Sequence, residues 1–307
     1  ITNHNGEDPI SEKKLAQGDG TWCTRKEILG WIFDGVEGTI QLPSTKCAKI
    51  VALIKRIARQ KRVSLNKFQK LAGKLQHASF GIPGGKGLFS PIQHAMQGTP
   101  PFITITPMLI STLHDWAYIV KYLTNHPTSV LQLIVEYPSY IGYSDACKLG
   151  AGGVWCSGLK PLQPFIWQVE WPADIQAQLV TDQNPSGSIT INDLELAGAI
   201  LNWLALELQP INLQHEHVGT FCDNTSAVAW AYKLRTSQSV IAGRLLRLLS
   251  LRIHQRKASS VTPMHIAGER NEMADVISRA FKNGKFFHAT ANLTQYFNEN
   301  FPLPQNQ

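Results

Sequence analysis

A chain of 307 residues and 34.1 kDa exceeds one average domain and leads us to expect two or three units. Its 43% hydrophobic content, with 8 Trp and 12 Phe, suffices for real cores and excludes a disordered tail. No apolar run reaches the roughly 20 residues of a membrane span, and no signal-peptide pattern opens the chain.

The net charge of +7 is uneven. Residues 1–136 hold 16 Lys/Arg against 9 Asp/Glu, whereas residues 137–307 hold 13 against 13. Between residues 38 and 114 there are eleven basic residues and no acidic one. A solvated surface mixes signs, so a one-signed stretch of this length predicts a polyanionic partner, nucleic acid, over a ligand-free basic helix pair.

Residues 1–20 are polar and irregular. Residues 28–33 read as a strand, Asp34-Gly35-Val36-Glu37-Gly38 as a tight turn and residues 39–42 as the return strand, because Asp-Gly between apolar runs favours a hairpin. A helix starts at Pro43-Ser44, with Ser44 as expected N-cap and Cys47, Ile50, Val51, Ile54 and Ile57 at helical spacing. Ser64 is expected to cap a second helix with Phe68, Leu71, Ala72 and Leu75 on its apolar stripe. Residues 81–87, with four glycines and a proline, read as a loop. Thr106-Pro107 opens a third helix, to about Leu123, carrying Leu109, Leu113, Trp116 and Ile119.

From Tyr137 the period changes. Residues 140–146, 153–156 and 165–169 read as strands, with Gly150-Ala151-Gly152-Gly153 as the turn between the first two. Then follow a helix (191–208), a buried strand (218–222), helices at 225–234 and 240–254, a strand (260–264) and a closing helix (269–281). The order βββαβααβα predicts an α/β unit, a mixed sheet flanked by helices. The five cysteines are odd in number and widely spaced, which argues against a disulfide framework or structural zinc and fits an intracellular, reducing location, cytoplasmic or nuclear.

Four acidic residues of the second half stand on apolar elements. Asp145 and Asp223 end apolar strands, Glu195 lies among Leu194, Leu196, Ala197 and Ile200, and Asp275 lies beside Ala274, Val276 and Ile277. Buried carboxylates repel one another unless a cation sits among them, and oxygen-only ligation suits Mg²⁺ or Mn²⁺. Two such ions about 3.5–4 Å apart activate a water and stabilise the leaving oxygen in phosphodiester hydrolysis. Each residue also has a plainer reading. Asp145 suits a strand-end turn, Glu195 a solvated helix face, Asp223-Asn224 an N-cap, and Asp275 an i,i+4 pair with Arg279.

At these residues the sequence resembles the ribonuclease H domains of retroelement polyproteins. The resemblance runs through Tyr143-Ser144-Asp145-Ala146 with Leu149-Gly150-Ala151-Gly152-Gly153-Val154, then Asn192-Asp193-Leu194-Glu195-Leu196-Ala197 and Phe221-Cys222-Asp223-Asn224. It ends in His265-Ile266-Ala267-Gly268 and Asn271-Glu272-Met273-Ala274-Asp275, the His standing ten residues before the Asp (275 − 265). It implies a ribonuclease H-like mixed sheet, with Asp145, Glu195, Asp223 and Asp275 holding two Mg²⁺ (or Mn²⁺) and His265 assisting proton transfer or product release. Only 52 residues separate Asp223 from Asp275 (275 − 223), which implies a layout without an extra basic substrate-handling helix.

The first half resembles the primer-grip hairpin and thumb of reverse transcriptases, in Leu29-Gly30-Trp31-Ile32-Phe33 and in Phe68-Gln69-Lys70-Leu71-Ala72-Gly73-Lys74-Leu75-Gln76. By that resemblance Gly30, Trp31, Gln69, Lys70, Gly73, Lys74, Gln76 and Asn224 touch nucleic acid. Gly73 in mid-helix costs close to ~1 kcal/mol against Ala, which suits close approach of a ligand backbone or a helix crossing. The implied layout is an end of palm with the hairpin (1–43), a helical thumb (44–100), a connecting helix region (101–136), the ribonuclease H domain (137–285) and a tail (286–307). The element resembled is nearer to DIRS-like or gypsy-like retrotransposons than to retroviruses.

No Asp-Asp dipeptide occurs, so the polymerase palm and fingers are expected upstream of Ile1, in a longer polyprotein. The expected partners are an RNA–DNA hybrid and a template–primer duplex, with no membrane. Two other readings stay open: a catalytically decayed nucleic-acid-binding remnant, and a DNA nuclease of the same fold, against which the His265–Asp275 spacing speaks.

Overall fold

The computed structural model describes residues 16, 18, 20–134, 137–236, 238–256 and 260–280. The expected irregular start and the 286–307 tail lie essentially outside the described residues. Among those described, no helix is long and apolar enough to cross a membrane.

The first half comprises β1 (Arg25–Ile28), β2 (Trp31–Asp34), β3 (Thr39–Gln41), α1 (Ser44–Ala58), β4 (Arg62–Ser64), α2 (Leu65–Ser79), α3 (Ser90–Ala95), β5 (Phe102–Thr104), α4 (Pro107–Tyr122) and β6 (Thr128–Ser129). The order β1-β2-β3-β6 forms one antiparallel sheet, and β4 pairs with β5. The expected strand over 28–33 is two strands. Leu29 and Gly30 take φ of 51° and 82° and turn the chain between β1 and β2. Only the glycine signals this, because an apolar residue with positive φ is uncommon. Ser44 is the first residue of α1 rather than its cap; Pro43 holds the N-cap position without a side-chain bond. Thr106 does cap α4, its Oγ1 accepting from the Leu109 amide at 3.3 Å.

The helical stripes meet in one core. Cys47, Ile50, Ile54 and Ile57 of α1, Phe68, Leu71 and Leu75 of α2, and Leu109, Leu113, Trp116 and Ile119 of α4 pack with Trp31 and Ile40. A 3₁₀ helix at Gly85–Phe89 leads into α3 where a plain loop was expected.

The second half holds β7 (Tyr140–Ala146), β8 (Gly150–Ser157), β9 (Phe165–Glu170), α5 (Ala173–Gln176), α6 (Ile191–Glu207), β10 (His217–Cys222), α7 (Thr225–Lys233), α8 (Val240–Arg256), β11 (Ser260–His265) and α9 (Glu272–Arg279). The sheet order is β11-β10-β7-β8-β9. β7, β8 and β9 form an antiparallel meander, while β10 runs parallel to both β7 and β11. Parallel neighbours need crossovers, which α6, α7 and α8 supply. This is an α/β unit, a mixed sheet flanked by helices, as expected.

The run Gly150-Ala151-Gly152-Gly153 belongs to β8 and is not a turn; the turn is Cys147-Lys148-Leu149, closed by Cys147 N–H on the Gly150 carbonyl at 2.8 Å. Packing explains the glycines. A Cβ on Gly152 would lie 3.0 Å from the Ser278 amide nitrogen, and one on Gly153 would run into the Tyr143 carbonyl. Bare backbone at Gly152 lets α9 settle onto the sheet. The segment between β9 and α6 contains α5 and a bridge between Leu179 and Ile189, and it packs Trp171, Leu179 and Ile189 against Ala146, Ala151 and Leu194.

Candidate active site

β7 is an interior strand, buried on both faces toward its end, so Asp145 arrives in the core, 4% exposed. Helix α6 lies across the sheet with sheet on one side and α7 and α8 on the other. That is why it is apolar nearly all round. A capping box fixes its start: Thr190 Oγ1 accepts from the Asp193 amide, and Asp193 Oδ2 accepts from the Thr190 amide at 2.9 Å. One turn on, Glu195 points inward, 6% exposed, and not to solvent. Asp223 follows β10 directly. Gly268 lies against it: a Cβ there would sit 3.1 Å from Asp223 Oδ2. Asp275, on α9, pairs with Arg279 at 2.5 Å, so the i,i+4 pair is real while the carboxylate also stands near Asp145.

The carboxylates act on one another. Burial pushes the Asp145 carboxyl up to about 6; the Ser278 hydroxyl hydrogen bond opposes this, and Asp223 and Asp275 add to it. Burial, then the charges of Asp145 and Asp223, push Glu195 up to about 9. Desolvation and like charge disfavour the ionised forms, and a cation among them reverses both effects. Asp145 thus lies in the field of Asp223 and Asp275, and Glu195 in that of Asp145 and Asp223. The carboxylate oxygens suit a hard divalent cation.

His265 ends β11 beside Cys222 and is exposed; its Nε2 stands 3.1 Å from the Asp223 carbonyl, to which it donates when protonated there. Asn224 is an N-cap as well as a neighbour of the centre. Its Oδ1 accepts from the Ala227 amide at 2.9 Å and its Nδ2 donates to Asn192 Oδ1 at 2.9 Å. Cys222 was not anticipated at the site. Its sulfur lies with the Glu195 and Asp223 carboxylate oxygens, all within 4.8 Å of one another. The signal available was its position beside Asp223 at the end of an apolar strand.

The predicted nucleic-acid residues divide. Gln69, Lys70, Gly73, Lys74 and Gln76 are all exposed on α2. A Cβ on Gly73 would meet nothing within 4 Å, so among the described residues no helix crosses there. A groove of about 590 Å³ beside it is lined by Lys46, Lys49, Lys70 and Lys74. Trp31 is a correction: it is 7% exposed, stacks on His77 and belongs to the core. Tryptophan has the apolar area to pin the hairpin onto α2, and that use wins. Gly30 lies in the β1–β2 turn, its carbonyl accepting from Lys46 Nζ at 3.1 Å.

The architecture defines the class of this chain as α/β, a five-stranded mixed sheet flanked by helices. No protein-family model matches the sequence, and no curated protein does. Among solved structures, a foamy viral protease-reverse transcriptase in complex with double-stranded DNA is similar at 13% identity and a TM-score of 0.31, over 79% of this chain and 38% of that one. The chain thus spans well under half the length of that protein. RNase H1 from the halophilic archaeon Halobacterium salinarum is similar at 13% identity and a TM-score of 0.34, over 48% of this chain and 98% of that one. LC11-RNase H1, isolated from compost by a metagenomic approach, is similar at 16% identity and 0.34, over 48% and 97%.

Proposed function

We propose that this chain is the thumb-and-nuclease part of a reverse transcriptase, and that it hydrolyses the RNA strand of RNA–DNA hybrids. One observation carries the reading: Asp145 and Glu195 are buried, in the field of each other's charge or of Asp223 and Asp275 nearby. Such an arrangement is unfavourable on its own and sensible around cations. Asp145, Glu195, Asp223 and Asp275 would hold two Mg²⁺ or Mn²⁺. Bound there, the ions supply charge neutralisation and polarisation for phosphodiester hydrolysis.

The chain's own residues do the rest. Ser278 orients Asp145, and Arg279 holds Asp275. His265, anchored at the Asp223 carbonyl, exchanges a proton at its imidazole with the reacting oxygens. Lys46, Lys49, Lys70 and Lys74 grip phosphates without reading bases, and open Gly73 admits the duplex backbone close to α2. The turn at Gly30, with Trp31 as its buried anchor, supports a primer-grip role for the hairpin. The division at 43/44, 100/101, 136/137 and 285/286, a DIRS-like or gypsy-like origin and an upstream palm belong to the same proposal.

The test is a strand-labelled RNA–DNA hybrid offered beside single-stranded RNA and duplex DNA, with Mg²⁺ or EDTA. We expect the RNA strand to be cut only in the hybrid and only with Mg²⁺. Cleavage in EDTA would remove the metal centre, and a hybrid bound but left intact would replace this reading with the decayed remnant.

A further inference from the structure

Cys222 gives the carboxylate centre a chemically different face. In the parallel ladder Val218 of β10 stands beside Tyr140 of β7 and Phe221 beside Tyr143, so Cys222 comes next to Ser144. Tyr140, Val218 and Cys222 share the core that packs on Leu196 and Ile200 of α6. Ser144, two residues along from Gly142 and four from Tyr140, takes the same face by strand alternation. Above that face hangs Glu195, whose Oε2 lies 3.7 Å from Cys222 Sγ. Ser144 is 1% exposed, and its Oγ is buried with no hydrogen-bond partner. A buried hydroxyl of that kind is rare without something to bind.

We propose that Cys222, Glu195 and Asp223 form a site for a soft divalent cation of the zinc or cadmium class, with Ser144 beneath it. A thiol among carboxylates is superfluous for a hard cation. Sulfur selects softer ions, and one sulfur with two carboxylates is a donor set that zinc-class ions accept. The thiol proton leaves to solvent as the metal–sulfur bond forms. A cation seated there occupies Glu195 and Asp223, so it competes with the hard cations and switches the centre off. The inference rests on the carboxylate cluster as a metal centre and not on the identity of the nucleic acid cut.

The experiment is a cadmium titration of the intact, EDTA-stripped chain followed by the ultraviolet thiolate-to-cadmium charge-transfer band and by melting temperature. Wild type and Cys222→Ala share the other four cysteines, so their difference isolates Cys222. We expect the difference to contain the band, and the cadmium-induced rise in melting temperature to be lost in the variant. Equal bands overturn the proposal. Should Cys222→Ala fail to fold, Cys222→Ser and a competition in wild type decide it: excess Mg²⁺ must suppress the band, and a band indifferent to a stabilising concentration of Mg²⁺ overturns the site. The readouts stay distinct. Mg²⁺ that leaves the melting temperature unchanged removes the hard-cation centre, whereas a band lost with Cys222 still establishes the softer one.

Discussion

Glu195 is a buried carboxyl whose charge the fold disfavours. Its carboxyl, and less so that of Asp145, keeps a proton in the folded chain at pH values where the unfolded chain has released it. Raising the pH therefore favours unfolding between the ordinary value of 4.5 and about 9 for Glu195, and between 3.8 and about 6 for Asp145. In EDTA, the melting temperature should fall as pH rises from 5 to 9 (roughly the window of the two shifts), and Mg²⁺ should offset the fall. Glu195→Gln removes most of that slope and stabilises the EDTA-treated protein near pH 8 by on the order of 1–3 kcal/mol, the desolvation penalty of a buried polar group. A variant whose melting curve keeps the wild-type slope would show that Glu195 is not the group concerned. His265 acts differently. His265→Ala should lower kcat by about 10²–10⁴-fold with hybrid affinity nearly unchanged, since proton transfer and not binding is lost. Full kcat would leave His265 as a strand-end residue bonded to the Asp223 carbonyl.

At the scale of elements, α2 joins a buried stripe to an exposed face, and two substitutions separate stability from binding. Gly73→Ala adds a methyl group that meets nothing, so the helix should gain about 0.5–1 kcal/mol while duplex affinity falls. Reversing Lys70 and Lys74 to Glu should weaken all duplexes alike and reduce the slope of log affinity against log salt by about 0.9 for each phosphate no longer neutralised. An unchanged slope would leave the basic face to solvent. Helices such as α1, α2 and α4 were legible in the sequence because their apolar residues repeat at helical spacing over four turns. So was the burial of Asp145 and Glu195, each polar on an apolar element. What was illegible depended on partners far along the chain. Gly152 looked like a turn because its reason is the Ser278 backbone, 126 residues away (278 − 152). Trp31 was assigned to nucleic-acid contact because His77 and the core around it could not be seen. Cys222 reaches Glu195 only once β10 and α6 are stacked.

At the scale of the whole molecule, α8 ties the two cores together. Its Leu246, Leu249 and Ile253 belong to the core of the mixed sheet, and Leu251 packs on the helical core. Along it, Gly84 meets Ile253, Gly87 meets Leu246 and Ser250, and Ser90 meets Gly243. Arg247 bridges the same boundary, its Nε on Asp115 Oδ2 and its Nη2 on Ser111 Oγ, both at 2.7 Å. Gly87 is the tightest point. A Cβ there would collide with Ser250 Oγ and lie 2.6 Å from the Leu246 carbonyl oxygen. The hydroxyl can rotate away, but the carbonyl is helix backbone, so α8 itself must shift outward. Overpacking of this kind costs about 1–3 kcal/mol. Because α8 belongs to one core and presses on the other, Gly87→Ala should lower the melting temperature of the whole chain in a single transition. Calorimetry of the variant checks this. Two transitions, only one of them displaced, would show that the cores melt independently and that the spacing between the basic face of α2 and the carboxylate centre is not fixed by α8.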